Sequence, residues 1–253
     1  MIRIILSGCN GHMGAVISHC ARERGDVVVA GIDPNTQSRE DYPVFPNADQ
    51  CAAQADVIID FSHPSALEGL LALSRRTGIP LVLATTGMSP QQIEKIHQAS
   101  AHIPVFFTAN MSLGINLLTE LAKTAVRVLG SRFDIEIIEK HHNRKLDAPS
   151  GTALMLADAI ASVMEEEPAY VYERHSKREK RKTNEIGLHA VRGGTIVGEH
   201  EVIFAGRDEV ISLTHIASSR DIFATGALSA AAFMVGKKPG LYSMKDLIAT
   251  TEA

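Results

Sequence analysis

Apolar positions in the first hundred residues fall in short, nearly unbroken runs. "IRIILSG", "VVVAGID", "DVIIDFS", "PLVLATTG" and "PVFFTAN" are built mainly from aliphatic and aromatic residues. A strand that is apolar on both faces must be covered on both faces, which is the condition of a parallel sheet. Between the runs the period lengthens. "GHMGAVISHCARERG" carries Met13, Val16, Ile17 and Cys20 at helical spacing, with Gly25 as a stop. "PSALEGLLALSRRTG" reads as a helix capped by Ser65, and "SPQQIEKIHQASA" opens with a serine cap and a proline in the first helical position. Strands alternating with helices predict a doubly wound parallel sheet with right-handed crossovers.

After about Ser112 the pattern changes. "LGINLLTELAKTAVRVLG" predicts a long helix, "FDIEIIEKHH" a strand, and "YVYER" a short strand. "HAVRGG", "TIVGEHEVIFAG" and "EVISLTHIAS" follow, separated by Gly-Gly and Gly-Arg-Asp turns. In the middle one Ile196, Gly198, His200, Val202 and Phe204 alternate with Val197, Glu199, Glu201 and Ile203. Consecutive strands with short turns predict an open mixed or antiparallel sheet. The end reads as a small-residue helix, a Pro-Gly turn and a short final helix. The fold class is therefore α/β: a Rossmann-like doubly wound sheet followed by an α+β segment with an open mixed sheet.

Composition narrows the partners. In 253 residues the net charge is -4, which does not favour nucleic acid. Cys9, Cys20 and Cys51 form no C-x-x-C pair. No stretch is apolar for long enough to cross a bilayer, and "MIRIILSG" begins a strand without a leader-like charged region. A reduced, cytoplasmic protein is expected, with no membrane partner.

"GCNGHMG" joins the first strand to the first helix, with glycines at 8, 11 and 14. Such a loop lets the backbone turn tightly and approach a pyrophosphate at the helix N-terminus. The spacing is G-x-x-G-x-x-G, with Asn10 where a middle glycine would stand, and the bland reading is a plain turn. Asp33 closes the second strand and is placed to bind the hydroxyls of an adenine ribose. "LATTG" and "FTAN" end later strands, so Thr85, Thr86, Ala109 and Asn110 are candidates for the nicotinamide side or for ordinary turn chemistry.

"IEKHHNRKLDAPSGTAL" concentrates proton-handling side chains ahead of a helix. Three readings compete. Adjacent histidines on a strand point to opposite faces and lack further ligands, so no metal is assigned. A solvated basic loop is the plain reading. The third is an anion site: His141, His142, Arg144 and Lys145 attract carboxylates, Ser150, Gly151 and Thr152 open a helix with free N–H groups, and histidine or lysine supplies a proton. "KREKRK" (177–182) reads most simply as a solvated loop.

Together these segments resemble the 4-hydroxy-tetrahydrodipicolinate reductase (dihydrodipicolinate reductase) family of diaminopimelate and lysine biosynthesis. "EKHHNRKLDAPSGTA" is similar to the family signature E-x-H-H-x-x-K-x-D-x-P-S-G-T-A, and "GCNGHMG", "IDFSHP", "ATTG", "TANMSLGIN", "VRGGTIVGEHEV" and "THIASSRDIFATGAL" match in order. The resemblance implies a dinucleotide-binding domain over 1–112 and 221–253 and a substrate and oligomerisation domain over 113–220, joined as a homotetramer. It implies that Gly8, Cys9, Asn10, Gly11, His12 and Met13 face the dinucleotide phosphates and Asp33 the adenine ribose. Ala84, Thr85, Thr86, Thr108, Ala109, Asn110 and Met111 face the nicotinamide side. His141 matches the proton donor, Lys145 the second catalytic residue, and His142, Gly151 and Thr152 the substrate contacts.

The cofactor implied is NADH or NADPH. Asp33 modestly favours NADH, because its carboxylate repels a 2′-phosphate unless Arg39 or a lysine swings in. The substrate implied is a cyclic imine carrying two carboxylates. Another Rossmann amino-acid or semialdehyde dehydrogenase, or a non-catalytic dinucleotide-binding protein, are the alternatives. "KREKRK" is more basic than many members at that place.

Overall fold

The computed structural model describes residues 1–38 and 40–250; Arg39, the expected swinging partner, lies outside the described residues. The chain forms two compact units, one from Met1–Leu113 with the chain from Asp221 onward, the other from Gly114–Arg220. In chain order the first unit contains β1 (Arg3–Ser7), α1 (His12–Arg24), β2 (Val27–Ile32), β3 (Val44–Phe45), β4 (Val57–Asp60), α2 (Leu67–Thr77), β5 (Leu81–Leu83), α3 (Pro90–Ser100) and β6 (Pro104–Phe107). The second contains α4 (Leu113–Leu129) from Gly114 on, β7 (Asp134–His141), α5 (Gly151–Ala161), β8 (Ala169–Val171), β9 (Glu185–Arg192), β10 (Gly198–Ala205) and β11 (Val210–Ala217). The chain returns to the first unit with α6 (Asp221–Met234), β12 (Gly240–Tyr242) and α7 (Met244–Ala249).

The first unit is a parallel seven-stranded sheet in the order β12-β6-β5-β4-β1-β2-β3. The unbroken apolar runs have a direct cause here. Ile4, Leu6, Val57, Ile59, Val82 and Phe106 pack on one face with α1 and α6, while Ile5, Ile58, Leu81, Leu83 and Val105 pack on the other with α2 and α3. Burying each such side chain contributes about 1.5–3 kcal/mol. The small residues of α6 let it lie close: a Cβ on Gly226 would fall 1.7 Å from the Met111 carbonyl oxygen.

The second unit is a mixed five-stranded sheet, β11-β10-β7-β9-β8. β7 is parallel to β9 and antiparallel to β10. One face carries Ile135, Ile137, Val202, Phe204, Ile186 and Leu188 under Leu118, Ala122 and Val126 of α4 and Ala153, Leu156, Ala157 and Ile160 of α5. On β11, Val210 and Ile216 are largely exposed, as is Val191 on β9.

Four local readings need correction. Ser65 does not cap α2: it lies inside a short 3₁₀ turn, Pro64–Ala66, whose cap is His63, with the Ser65 amide donating to His63 Nδ1 at 3.2 Å. Strand β10 begins at Gly198, so Thr195–Val197 stand outside it. Two short strands, β3 and β12, were missed; β12 occupies part of the segment read as a Pro-Gly turn. "KREKRK" is not simply solvated. Arg181 folds back on the sheet, donating to Glu136, Asp134 and the carbonyls of Ile135, Lys182 and Glu185 at 2.6–3.0 Å. Its neighbours 177–180 are exposed.

Candidate active site

Local geometry in the first unit follows from its glycines. Gly8 has φ +78°, and a Cβ there would lie 2.5 Å from the Phe61 carbonyl oxygen. A Cβ on Gly14 would lie 2.3 Å from the Gly8 carbonyl, so α1 can start close under the loop only with glycine at 14. Gly11 is the N-cap of α1, and no side chain caps that helix. Gly11 and His12 are exposed and Met13 is half-buried. Asp33 ties the loop to the segment after β2: Oδ2 accepts the Asn10 amide at 3.2 Å and Oδ1 the Asn35 amide at 2.9 Å. Asn10 in turn donates to the Asn35 carbonyl at 2.5 Å. A glycine cradle, an uncapped helix start and an acid at the end of the next strand fit a dinucleotide.

The other candidates for this ligand stand at the carboxyl ends of β5 and β6, in the same parallel sheet. Thr85 is buried. Its hydroxyl donates to Asp60 Oδ2 at 2.7 Å and accepts the Ser62 amide at 2.9 Å. Asp60 is fully buried; burial pushes its pKa up, against hydrogen bonds from Ser62 and Thr85. Thr86 and Ala109 are exposed, while Thr108 and Asn110 are half-buried. The Thr108 hydroxyl donates to the Asn110 carbonyl at 3.0 Å, and Asn110 Oδ1 accepts the Ser112 amide at 2.9 Å. Cys9, Ala84 and Met111 lie in the core, so what they offer a ligand is backbone. Burial, then the charge of Asp33, pushes the Cys9 thiol up to about 11, which leaves it protonated and unreactive.

The second unit brings the proton-handling residues together at the end of β7. Period-two alternation puts Ile135, Ile137, Glu139 and His141 on the covered face and Glu136, Ile138 and Lys140 on the other, and His142 follows the end of the strand. His141 is buried, with Nδ1 2.5 Å from Glu139 Oε2. The chain turns at once. The Lys145 amide donates to the His142 carbonyl at 3.1 Å, and Gly193 and Gly194 clasp the corner through Gly193 N to His141 O at 2.9 Å and Asn143 N to Gly194 O at 3.2 Å. The chain thus bends at Asn143 and Arg144. Lys145 is half-buried and pairs with Asp147 at 2.9 Å, which lowers the Asp147 pKa. His142 is half-buried; partial burial, then Arg144 and Arg220, holds its pKa below the usual value.

Ser150 caps α5, its hydroxyl accepting the Ala153 amide at 3.1 Å. Gly151 is exposed and Thr152 half-buried at the helix start. Behind them stands buried His200, with Nε2 3.0 Å from Ser150 Oγ and its ring edge-on to His141 at 5.1 Å. Burial, then His141, pushes the His200 pKa down to about 4, so this imidazole is neutral. Glu139 is fully buried. Burial disfavours its charge, but Arg192, His141 and the Ser150 amide together hold its pKa below the ordinary value. The sequence reading assigned no role to Glu139, Arg192 or His200. The available signal was period: Glu139 lies two residues before His141, hence on the same face. Among the described residues no group of three histidine, cysteine or acidic side chains could hold a metal ion, and no helix is long and apolar enough to cross a membrane.

Comparison with known proteins agrees across the whole chain. Residues 2–111 match the model "Dihydrodipicolinate reductase, N-terminus" and residues 114–248 match "Dihydrodipicolinate reductase, C-terminus". A 4-hydroxy-tetrahydrodipicolinate reductase of Caldanaerobacter subterraneus subsp. tengcongensis is 55% identical over 98% of both chains. That of Clostridium tetani is 51% identical over 98% of this chain and 97% of its own. Among solved structures, a dipicolinate-bound dihydrodipicolinate reductase from Paenisporosarcina sp. TG-14 superposes with a TM-score of 0.80 at 25% identity, over 96% of this chain and 97% of that one. With both halves matched, the chain belongs to the dihydrodipicolinate reductase family.

Proposed function

We propose that the family's reaction is carried out by two separately built groups of residues, one in each unit. The chain is an enzyme that reduces 4-hydroxy-tetrahydrodipicolinate to tetrahydrodipicolinate with NAD(P)H, in diaminopimelate and lysine biosynthesis. In our reading the loop from Gly8 to Met13 holds the nucleotide phosphates and Asp33 the adenine ribose. Thr86, Thr108, Ala109 and Asn110, with the backbone of Ala84, Thr85 and Met111, line the nicotinamide side. Asp33 makes NADH the preferred form, because a carboxylate repels a 2′-phosphate. Bound there, the reduced nucleotide supplies a hydride.

The second unit's residues bind and orient the diacid and move the proton. Lys145 and the N-terminus of α5 at Gly151 and Thr152 hold carboxylates, as a cation and a helix start do. His142 adds a neutral hydrogen-bonding group. His141 holds the proton at Nε2 and delivers it to the ring carbon beside the one reduced. The observation that carries this reading is the corner after β7, where His141, Lys145 and the capped start of α5 converge on one turn. The Asp147–Lys145 pair keeps the lysine in place until a substrate carboxylate takes over that role.

The uncovered face of the second sheet, with Val191, Val210 and Ile216 exposed, supports packing against further copies of the chain, in keeping with the homotetramer that the resemblance implies. We place the protein in the cytoplasm, in keeping with Cys9, Cys20 and Cys51 all being free thiols. The test of the function is a coupled assay in which a synthase generates the substrate. Oxidation of NADH, and less readily NADPH, should begin only when the synthase and both its substrates are present. Absence of that dependence rejects the reading.

A further inference from the structure

Glu139 has no role in the reading above, yet both oxygens of its buried carboxylate are fully engaged. Each carboxylate oxygen accepts two hydrogen bonds. Oε2 takes His141 Nδ1 at 2.5 Å and Arg192 Nη1 at 2.7 Å; Oε1 takes Arg192 Nη2 at 2.7 Å and the Ser150 amide at 3.0 Å. The two-pronged Arg192 bond holds the group ionised in spite of its complete burial. An ionised carboxylate only accepts. The proton between Glu139 and His141 therefore sits on Nδ1, and Nε2 is the ring atom left to exchange one. On that side the space is kept by a glycine: a Cβ on Gly198 would fall 3.1 Å from Nε2. The second ring in the pocket does not compete, since His200 is neutral and engaged with Ser150.

We infer that Glu139, held by Arg192, is the positioning residue of this site: it keeps one proton on His141 Nδ1, so that neutral His141 is the Nδ1–H tautomer and Nε2 is the nitrogen that takes up and gives up the transferred proton, and through the Ser150 amide it sets the start of α5 against the same histidine. One carboxylate thus aligns the proton donor with the carboxylate-binding helix end. The inference rests on reading His141 as the proton donor.

Glu139→Gln tests it in an unusually specific way. A glutamine offers one oxygen and one NH₂. At the Oε1 place the NH₂ would meet two donors, the Ser150 amide and Arg192 Nη2. At the Oε2 place it meets one donor, Arg192 Nη1, and the histidine, which can turn acceptor. The NH₂ therefore goes to His141, and the histidine switches to the Nε2–H tautomer. ¹⁵N NMR of histidine-labelled protein, with the His141 signals assigned by their loss in His141→Gln, reads this directly. Wild type should show neutral His141 protonated at Nδ1, and Glu139→Gln should show it protonated at Nε2. Losing such an outer-shell partner typically costs about 10–100-fold in activity, and kcat should fall by that much with a smaller change in KM.

The wild-type measurement needs no variant: an Nε2–H tautomer there overturns the inference even if Glu139→Gln does not fold. So does Glu139→Gln with an unchanged tautomer, or with kcat within twofold of wild type. The parallel His141→Gln assay separates the two levels. If His141→Gln is slow and Glu139→Gln is fast, the inference falls and the functional reading stands. If His141→Gln keeps full kcat, the functional reading itself falls.

Discussion

Gly198→Ala adds one methyl group beside the atom assigned to proton transfer. Its Cβ would stand 3.1 Å from His141 Nε2 and 3.4 Å from Cδ2, inside the contact distance of about 3.5–4.0 Å at which heavy atoms attract. The histidine cannot retreat, because Glu139 holds Nδ1 at 2.5 Å and Arg192 holds Glu139 with two bonds of 2.7 Å. Strand β10 cannot retreat easily either, since Gly198 pairs with Ala217 and the next residue, Glu199, with Lys140. The strain falls on the ring torsion. A twist of about 30° costs about 0.5–1.5 kcal/mol, which is about two- to thirteenfold in rate. Shielding of Nε2 adds to that, up to the roughly 10²–10⁴-fold of a lost positioned acid. We expect kcat in the coupled assay to drop about tenfold or more, with NADH affinity unchanged because the cofactor loop lies in the other unit. A Gly198→Ala enzyme that folds normally and keeps kcat within twofold would refute the placement of the proton at Nε2.

Asp33→Ala should weaken kcat/KM for NADH more than for NADPH; equal losses would remove Asp33 from the ribose. Lys145→Gln should lower kcat and raise substrate KM together, whereas His142→Gln should act mainly on KM, and steady-state kinetics with both variants checks the split. Arg181→Ala should lower stability by about 2–4 kcal/mol at neutral pH, since several charge-assisted bonds are lost at once. Part of that deficit is pH-dependent. Burial raises the Glu136 pKa, but His189, Arg181 and Arg174 outweigh it and depress the folded value. A depressed carboxyl contributes stability above its unfolded pKa of about 4.3 and loses it as pH falls through the folded one, so the gap should narrow in acid. A gap that is flat from pH 7 to pH 3 in chemical unfolding would show that the Glu136 pair contributes nothing.

What the chain discloses without a structure follows from range. The first-unit strands were legible because burial on both faces leaves an unbroken apolar run, as in Ile4 to Leu6 and Val57 to Ile59. The Ser89 cap was legible because its partner, Gln92, is three residues away. β3 and β12 were not, because two or three residues at a sheet edge carry no period. Ser65 misled because His63, two residues earlier, competes for the same turn through its ring nitrogen. His141, Lys145 and the start of α5 fall in one short stretch, so the proton site could be read locally. Its support could not: Arg192 is 53 residues from Glu139, and His200 is 50 from Ser150. Arg181 is the same case. Among neighbouring basic residues it reads as solvated, and only the fold brings Asp134 and Glu136 to it.

The most direct test of the account is His141→Gln, measured as kcat together with NADH Kd on protein shown by circular dichroism to be folded. If His141 delivers the proton, kcat should fall by about 10²–10⁴-fold while NADH Kd stays within twofold, because Gly8, Gly14 and Asp33 are untouched. Near-full kcat would contradict the account and reduce the stretch from His141 to Lys145 to a basic corner at the end of a strand.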